Sequence, residues 1–225
     1  MHRRMIVLLS IFVIASLMGG CGKSKTSITL AGSTAFQPFA EKLAEQYMST
    51  HANVSITVQG GGSAVGVQTA ISGAAQIGMA DLVVLPEEAK QLTPTIVARD
   101  GIAVVLNPAN KVINLTTQQV REVFNGKIKN WKEVGGADSP ITVVSREAGS
   151  GTRSSFEQIV TEISLTKDAL IQDSNGTIRE TVANDPNAIG YLSHGLLNDK
   201  IKAIKIDGQE CTTELITTGS YKLVR

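Results

Sequence analysis

The chain is poor in the residues that many binding and catalytic chemistries require. Aromatic residues make up 4% of it, which argues against a platform for stacking sugars or nucleobases. It has three histidines, one of them at position 2, and these leave little for a metal site. Acidic and basic residues are mixed along the chain and give a net charge of +1, so no basic stripe indicates nucleic acid. We therefore expect no metal, no cofactor and no nucleic-acid partner.

Cysteine is also scarce, and the position of the first one indicates export. A basic start at 1–4 precedes an apolar run over 5–18, which is short for a membrane span and typical of a signal peptide. Two glycines then precede Cys21, a pattern that resembles a bacterial lipobox with an acylated cysteine. We predict a lipoprotein signal peptide over 1–21, a linker over 22–26, and a protein anchored by lipid to a bacterial membrane, facing the periplasm or the cell exterior. An ordinary signal peptide with an incidental cysteine is the alternative.

The second cysteine, Cys211, then has no partner for a disulfide, and we expect a partly buried structural thiol. Removing the leader leaves about two hundred residues, which is enough for one large domain or two small lobes.

Strand-like and helix-like segments alternate after the leader, which is typical of an α/β layered fold. The pattern predicts strands near 27–30, 54–58, 77–81, 101–106 and 141–144. The run over 101–106 is continuously apolar, as expected of a strand that is buried on both faces.

Helical spacing follows most of these strands. Phe36, Phe39, Leu43 and Tyr47 repeat at helical intervals, with a proline near the start of that helix, where it is tolerated. A later helix is predicted to begin at Thr116 and to end at an Asn-Gly pair.

Two of the strand-to-helix turns are alike: 31–35 (AGSTA) and 149–153 (GSGTR). Each places small hydroxyl residues at a helix N-terminus, which carries roughly half a positive charge and free N–H donors. A third turn of this kind occupies 60–63 (GGGS), and Arg146 adds a cation with a planar fork of donors. One such turn alone is more often a helix cap than a ligand site. Together, facing one another, they predict a cage for a small tetrahedral anion.

Asp81 ends the third predicted strand and is the unusual member of this group. Ligands of open α/β sheets lie beyond the carboxyl ends of the strands, where these loops are found. An ionised carboxylate accepts hydrogen bonds but cannot donate them, so it can accept the proton of hydrogen phosphate but repels sulfate. A site built around one hydrogen bond rejects an analogue that lacks it by roughly 10⁴–10⁵-fold in favourable cases. Asp81 therefore favours phosphate over sulfate.

An enzyme is the more distant alternative. A serine hydrolase needs a Gly-x-Ser-x-Gly elbow and a histidine partner, whereas the glycines at 149–151 flank their serine too closely. The glycines of 60–66 match neither the dinucleotide nor the P-loop spacing. No His/Asp cluster suits the metal pair of a phosphatase. We expect no catalytic residue.

Six segments together resemble the phosphate-binding proteins of bacterial phosphate ABC transporters, the PstS group of periplasmic-binding-protein folds. They are AGSTAF at 31–36, GGGS at 60–63, IGMAD at 77–81, FNGKIKNW at 124–131, REAGSGTR at 146–153 and AIGY at 188–191. The resemblance runs from about residue 28 to the end. Relatives often have a serine where this chain has Ala80, and they generally continue beyond Arg225 through a further strand and helix that complete the first lobe.

The resemblance implies a two-lobed α/β fold of the type II-like periplasmic-binding-protein class, with mixed sheets flanked by helices and a ligand cleft between the lobes. The first lobe is expected over 27–102 together with 206–225, and the second over 103–205.

The resemblance also implies a binding protein without a reaction of its own, which captures inorganic phosphate and delivers it to the membrane permease of an ABC transporter. Its implied phosphate contacts are Ser33, Thr34, Ser63 and Asp81 on the first lobe, with Arg146, Ser150, Gly151 and Thr152 on the second. A monomer is expected. A binding protein for another tetrahedral oxyanion, such as molybdate, tungstate or sulfate, is the nearer alternative.

Overall fold

A computed structural model describes residues 25–225 of the chain. The predicted signal peptide, most of the predicted linker and Cys21 lie outside the described residues. The strands are β1 (Thr26–Gly32), β2 (Val54–Gln59), β3 (Ile77–Met79), β4 (Ile102–Leu106), β5 (Asn114–Leu115), β6 (Thr142–Arg146), β7 (Leu170–Gln172), β8 (Ala188–Ser193), β9 (Lys202–Ala203) and β10 (Lys205–Ile206). The helices are α1 (Gln37–Thr50), α2 (Ser63–Ser72), α3 (Thr117–Phe124), α4 (Gly151–Val160), α5 (Asn175–Asn184) and α6 (Thr213–Thr217). Among these helices none has the length and apolar character needed to cross a membrane.

The first three strands form a small parallel sheet in the order β2-β1-β3. The helix α1 connects β1 to β2, and α2 connects β2 to β3, as parallel pairing requires. Pro38 lies in the first turn of α1, where its fixed φ suits the helix and its missing N–H costs no hydrogen bond. At the C-terminal end of α2, Gly73 adopts a left-handed conformation and ends the helix.

The second sheet has five strands in the order β7-β6-β8-β4-β9 and is mixed. Strand β4 runs antiparallel to β8 and β9, whereas β6 runs parallel to β7 and β8. Every residue of β4 is fully buried, which confirms the prediction of a strand covered on both faces. The two-stranded pair β10-β5 extends the structure beside α3.

The sequence pattern located these elements well. All five predicted strands are present, and the α/β class is confirmed, with mixed pairing in the larger sheet and parallel pairing in the smaller one. Thr116 caps α3 through a capping box, and Asn125 and Gly126 follow its last residue as predicted.

The helical spacing predicted for α1 is confirmed, but most of its apolar stripe is not covered by the core. Its buried residues are Ala40 and Ala44, whereas Phe39, Leu43 and Tyr47 are 41%, 57% and 46% exposed. The physical reason is that α1 packs on β2 of a narrow three-stranded sheet, and the small alanines make the close contact with it. The larger residues therefore lie at the margin of that contact.

The C-terminal stretch 206–225, which is expected in the first lobe, packs beside the start of β4. Its apolar side chains, among them Ile216, Tyr221 and Leu223, belong to the core cluster that contains β4. Tyr221 donates its hydroxyl to the carbonyl of Ile102 at 3.0 Å, and the Ile102 amide donates to Leu223 at 2.7 Å. These bonds hold the stretch beside the start of β4. The expected division into lobes stays a prediction.

Candidate anion-binding site

The carboxyl ends of the small sheet bring three of the predicted site residues to one edge. Gly32 of β1 is paired with Met79 of β3, and the amide of Ser33 donates to the Met79 carbonyl at 2.9 Å. Because the strands are parallel, the residues that follow them leave the sheet on the same side. Ser33, Ser63 at the start of α2, and Asp81 two residues beyond β3 therefore lie together.

The facing loop follows β6 of the larger sheet and leads into α4. The hydroxyl of Ser150 accepts the amide of Arg153 at 3.2 Å and so caps the helix. Ser150, Gly151 and Thr152 are all buried. The prediction that this GSGTR turn opens a helix is confirmed.

Asp81 is the point at which the two sets of loops meet. Ser63 donates its hydroxyl to Oδ1 of Asp81, and Thr152 donates its hydroxyl to Oδ2 at 2.9 Å. The amide of Ala64 donates to the carbonyl of Gly149 at 3.1 Å beside them. The Asp81 side chain is 12% exposed. One carboxylate thus accepts hydrogen bonds from the N-terminal turns of two helices that belong to different sheets.

Glycine is required at position 151 by this close approach. A Cβ there would overlap the hydroxyl of Ser63 and lie 2.5 Å from Oδ1 of Asp81. Any side chain at 151 would therefore push the two loops apart. Gly62 has a related role, because its Cβ would lie 2.8 Å from the carbonyl oxygen of Gly149.

Arg146 ends β6 and is 1% exposed. Its Nε and Nη2 donate to the two carboxylate oxygens of Glu147, each at 2.8 Å, and Nη2 also lies 3.3 Å from the carbonyl of Asp173. Its Nη1 is buried and has no hydrogen-bond partner among the described residues. Since buried polar groups in proteins are almost always paired, this donor indicates a place for a ligand acceptor.

Glu147 and Asn175 are two contributors that sequence reasoning missed. Glu147 fixes the Arg146 guanidinium and also lies against the Gly62 turn of the small sheet. Asn175, in the first turn of α5, is 1% exposed and donates its amide to the hydroxyl of Thr34 at 3.0 Å. Nothing in the sequence around Asn175 indicated a contact with Thr34.

Arg225 is the third missed residue and the one closest to the centre of the site. Its Nη1 lies 2.7 Å from Oδ2 of Asp81, and its Nη2 lies 2.6 Å from Oδ2 of Asp100. The Arg225 side chain is 2% exposed. No sequence signal marks it, because it lies in no recognisable motif and far along the chain from both partners.

The ionisation of Asp81 reflects two opposing effects. Burial raises the pKa of this carboxyl. The Arg225 guanidinium lowers it, as do the hydroxyls of Ser63, Thr152 and Ser33. These contacts outweigh burial and hold the pKa of Asp81 below its ordinary value, so the group is an ionised acceptor at neutral pH.

The structure thus brings four of the predicted site residues into one contact cluster: Ser63, Asp81, Gly151 and Thr152. The other four lie around it in different settings. The Ser33 oxygen accepts the amides of Ala35 and Phe36, at 3.2 and 3.1 Å, and the Ser33 hydroxyl lowers the pKa of Asp81. Thr34 contacts α5, Ser150 caps α4, and Arg146 pairs with Glu147. The role of all eight in binding an anion stays a prediction.

Comparisons with known proteins give matches over nearly the whole chain. A family model described as a PBP superfamily domain matches residues 20–225. The phosphate-binding protein PstS of Bacillus subtilis is 35% identical over 237 residues, which cover 97% of this chain and 79% of that protein. The phosphate-binding protein PstS of Borreliella burgdorferi is 25% identical, with 98% of this chain and 84% of that protein covered.

Solved structures agree with these relatives. A phosphate ABC transporter substrate-binding protein from Clostridium perfringens, with bound phosphate, matches with a TM-score of 0.85 and 42% identity, covering 89% of this chain and 84% of its own. An ABC-type phosphate transport receptor from Vibrio cholerae matches with a TM-score of 0.72 and 37% identity, covering 88% of this chain and 84% of its own.

These matches extend over both sheets and all the site loops, and they confirm the two-lobed binding-protein fold that the sequence motifs predicted. The family comprises substrate-binding transport proteins and not enzymes. The chain belongs to the PstS family within the periplasmic-binding-protein superfamily.

Proposed function

We propose that this chain captures inorganic phosphate between the loops of its two lobes and delivers it to the membrane permease of an ABC transporter. The observation that carries the proposal is the buried Nη1 of Arg146, which has no partner among the described residues. A buried donor without an acceptor costs roughly 1–3 kcal/mol, more when it is charged, and an oxyanion would recover that cost. The phosphate-binding relatives support phosphate as the anion.

On the first lobe, the proposed phosphate contacts are Ser33, Thr34, Ser63 and Asp81. Hydroxyl groups suit this task because they donate to anion oxygens without adding charge. The hydroxyl hydrogen of Ser63 already goes to Asp81, so Ser63 would contact the anion through its backbone N–H in the first turn of α2. Thr34 uses its oxygen as an acceptor toward the Asn175 side chain, which leaves its hydroxyl hydrogen to donate. The Ser33 hydroxyl, which lowers the pKa of Asp81, would turn from that carboxylate to the anion.

On the second lobe, the proposed contacts are Arg146, Ser150, Gly151 and Thr152. The amides of Gly151 and Thr152 lie in the first turn of α4, where N–H groups have no acceptor within the helix. The positive end of the helix dipole reinforces them toward an anion. Arg146 supplies a full positive charge beside these partial ones.

Asp81 is the proposed determinant of selectivity. Phosphate keeps at least one proton at neutral pH and can donate it to this carboxylate, whereas sulfate has none to give. Because the pKa of Asp81 is held low, the carboxylate is ready to accept that proton. Sulfate would leave two acceptors facing each other in a desolvated site.

The direct bonds from Thr152 to Asp81 and from Ala64 to Gly149 describe lobes in contact. We propose that lobe 1 spans 27–102 together with 206–225, that lobe 2 spans 103–205, and that phosphate selects this closed arrangement by binding both lobes at once. A permease can then distinguish a loaded protein from an empty one by its shape.

The test is titration calorimetry of the purified protein with phosphate and with sulfate. We expect phosphate to bind and sulfate to bind far more weakly. Arg146→Gln should lose about 10- to 100-fold in phosphate affinity, as expected for one charged hydrogen bond. Arg179→Gln is the matched control, because Arg179 pairs with its neighbour Glu180 on α5 and should leave affinity unchanged. Sulfate binding as tight as phosphate binding would indicate another oxyanion, and binding of neither would overturn the proposal.

We also propose that the protein is exported as a monomer and anchored through a lipid on Cys21, which keeps it near its permease. Detergent phase partition of the expressed full chain tests the anchor. The protein should enter the detergent phase, and Cys21→Ser should move it to the aqueous phase. If the chain with Cys21 in place also stays in the aqueous phase, the lipid anchor is contradicted.

A further inference from the structure

Arg225 binds two carboxylates at once and is held rigidly. Its Nη1 meets Oδ2 of Asp81 at 2.7 Å and the Asp81 carbonyl at 3.3 Å. Its Nη2 and Nε meet Oδ2 of Asp100 at 2.6 and 3.1 Å. The backbone adds a reciprocal pair, with the Arg225 amide donating to Asp100 at 2.9 Å and the Asp100 amide donating to Arg225 at 3.0 Å. Four anchoring contacts to Asp100 thus place the guanidinium against Asp81.

Ser193 completes the support from the larger sheet. Its hydroxyl donates to Oδ1 of Asp100 at 2.8 Å, the oxygen that Arg225 leaves unused. Ser193 is the last residue of β8 and is 3% exposed. The chain Ser193–Asp100–Arg225 therefore connects the rigid five-stranded sheet to the carboxylate of the small one.

The hydrogen bonds of Asp81 leave a place for a ligand. A carboxylate has about four lone-pair positions. Ser63 occupies one on Oδ1, and Thr152 and Arg225 occupy two on Oδ2. Among the described residues Oδ1 has no other hydrogen bond, and the Ser33 hydroxyl also lowers the pKa of this carboxyl, so a ligand proton would share the carboxylate with Ser33 and Ser63.

The charges around Asp81 come from two sides. On the C-terminal segment, Arg225 is in direct contact with it, and Asp100 lies on the far side of that arginine. On the loop after β6, Arg146 and Glu147 pair with each other. The contact with Arg225 is therefore the ion pair through which Asp81 is balanced.

We propose that Arg225 is a positioning residue for anion selection: it holds the Asp81 carboxylate charged and fixed, so that this group accepts a proton from the bound anion and cannot donate one. The inference rests on the proposed phosphate-binding function and names the residue that enforces its selectivity. It also gives a physical reason for a buried arginine whose side-chain hydrogen bonds, among the described residues, go to Asp81 and Asp100.

The consequence of losing Arg225 follows from the burial of Asp81. A buried carboxylate without a counter-charge takes up a proton, because burial disfavours the charged form. A protonated Asp81 has an O–H to donate, and sulfate can accept it. In the variant, selectivity against sulfate should then depend on the protonation of Asp81, in addition to the protonation of phosphate itself, which affects the wild-type protein equally.

The experiment measures phosphate and sulfate affinities by calorimetry between about pH 8 and about pH 5 in Arg225→Gln and Arg225→Lys. Affinities are expressed relative to the unmodified protein at each pH, which cancels the protonation of phosphate itself. In Arg225→Gln the phosphate-to-sulfate affinity ratio should fall at least about tenfold as pH decreases, the change that corresponds to one pKa unit at Asp81. Arg225→Lys keeps the positive charge and should largely restore the unmodified profile.

Arg121→Gln is the matched control for loss of a structural arginine. Arg121 donates to the carbonyls of Val160 and Thr161 and pairs with Glu162, away from Asp81. It should lower stability without changing the ratio at any pH. A pH-independent ratio in folded Arg225→Gln overturns the inference, and so does a fall of equal size in Arg121→Gln.

A second measurement needs no variant and no ligand. Carbon-detected NMR titration of the Asp81 carboxyl in the unmodified protein should show it ionised to below its ordinary pKa range, because Arg225 and the surrounding hydroxyls favour the charged form. Titration at or above the ordinary range overturns the inference even if Arg225→Gln does not fold. Failure of the proposed function is seen separately, as an unmodified protein that does not bind phosphate.

Discussion

The two sheets of this protein differ in the size of the side chains that are buried against them. Between residues 25 and 100 the buried apolar side chains are, apart from Val67 and Met79, all alanines: Ala31, Ala35, Ala40, Ala44, Ala75 and Ala89. The five-stranded sheet instead packs large residues, with β4 and β8 buried along their whole length. Phe124, Phe156 and Tyr191 contact one another there, with ring centroids 4.1 to 5.5 Å apart.

This difference shows how the binding loops are supported. The larger half carries the ion-paired Arg146 and the start of α4 on a core that fixes side chains by volume. The smaller half relies on backbones that approach closely, because glycines and alanines leave no room for anything else. The anion site lies where the two halves meet, and Arg225 connects the smaller half to the larger one through Asp81 and Asp100.

The largest effect should come from the aromatic cluster. Phe156 is 1% exposed and stacks on Tyr191 at 4.1 Å, so Phe156→Ala should lower the free energy of unfolding by about 3–5 kcal/mol. Leu43→Ala on α1 removes an apolar residue that is 57% exposed and should change it by no more than about 0.5 kcal/mol. Urea unfolding followed by circular dichroism measures both.

The pair of variants can break the comparison as well as sharpen it. A cost at Leu43 close to that at Phe156 would mean that the apolar face of α1 is covered in solution. In that event the small half would not depend on its alanines, and the contrast between the two sheets would disappear.

The part of this architecture that could be predicted from sequence is the part that local pattern determines. Strand, glycine-serine turn and helix succeed one another over a few residues, so alternation and helical spacing were enough to place them. The parallel strands then bring Ser63 and Asp81 to one edge, and the repeated turn motif predicted that Gly151 and Thr152 would face them.

What could not be predicted depends on contacts between distant parts of the chain. Arg225 and Asp81 are 144 residues apart, and one arginine in a short C-terminal segment carries no signal of its partner. The helix α1 shows the same limit, since its spacing predicted a helix but not which face its neighbours would cover. The place of the C-terminal stretch also depends on distant contacts, since Tyr221 and Leu223 bind beside Ile102, more than a hundred residues earlier in the chain.

A substitution with a smaller expected effect tests the close backbone contact in the smaller half. A Cβ on Gly66 of α2 would overlap the carbonyl oxygen of Met79 and lie 2.9 Å from that of Ala31, so Gly66→Ala should cost about 1–3 kcal/mol by forcing the helix off the sheet. Gly176→Ala is the matched control on α5 of the larger half, where the nearest atom would be 3.6 Å away.

The control should move in the opposite direction. Alanine in a helix is favoured over glycine by roughly 0.5–1 kcal/mol, and position 176 leaves room for the methyl group, so Gly176→Ala should stabilise the protein slightly. Chemical unfolding of the two variants side by side gives the sign of each effect. If Gly66→Ala also stabilised the protein, the α2 helix would have space above its sheet. The approach of Ser63 to Asp81 would then not depend on Gly66. Close contact between backbones would not be what determines the packing of the smaller half.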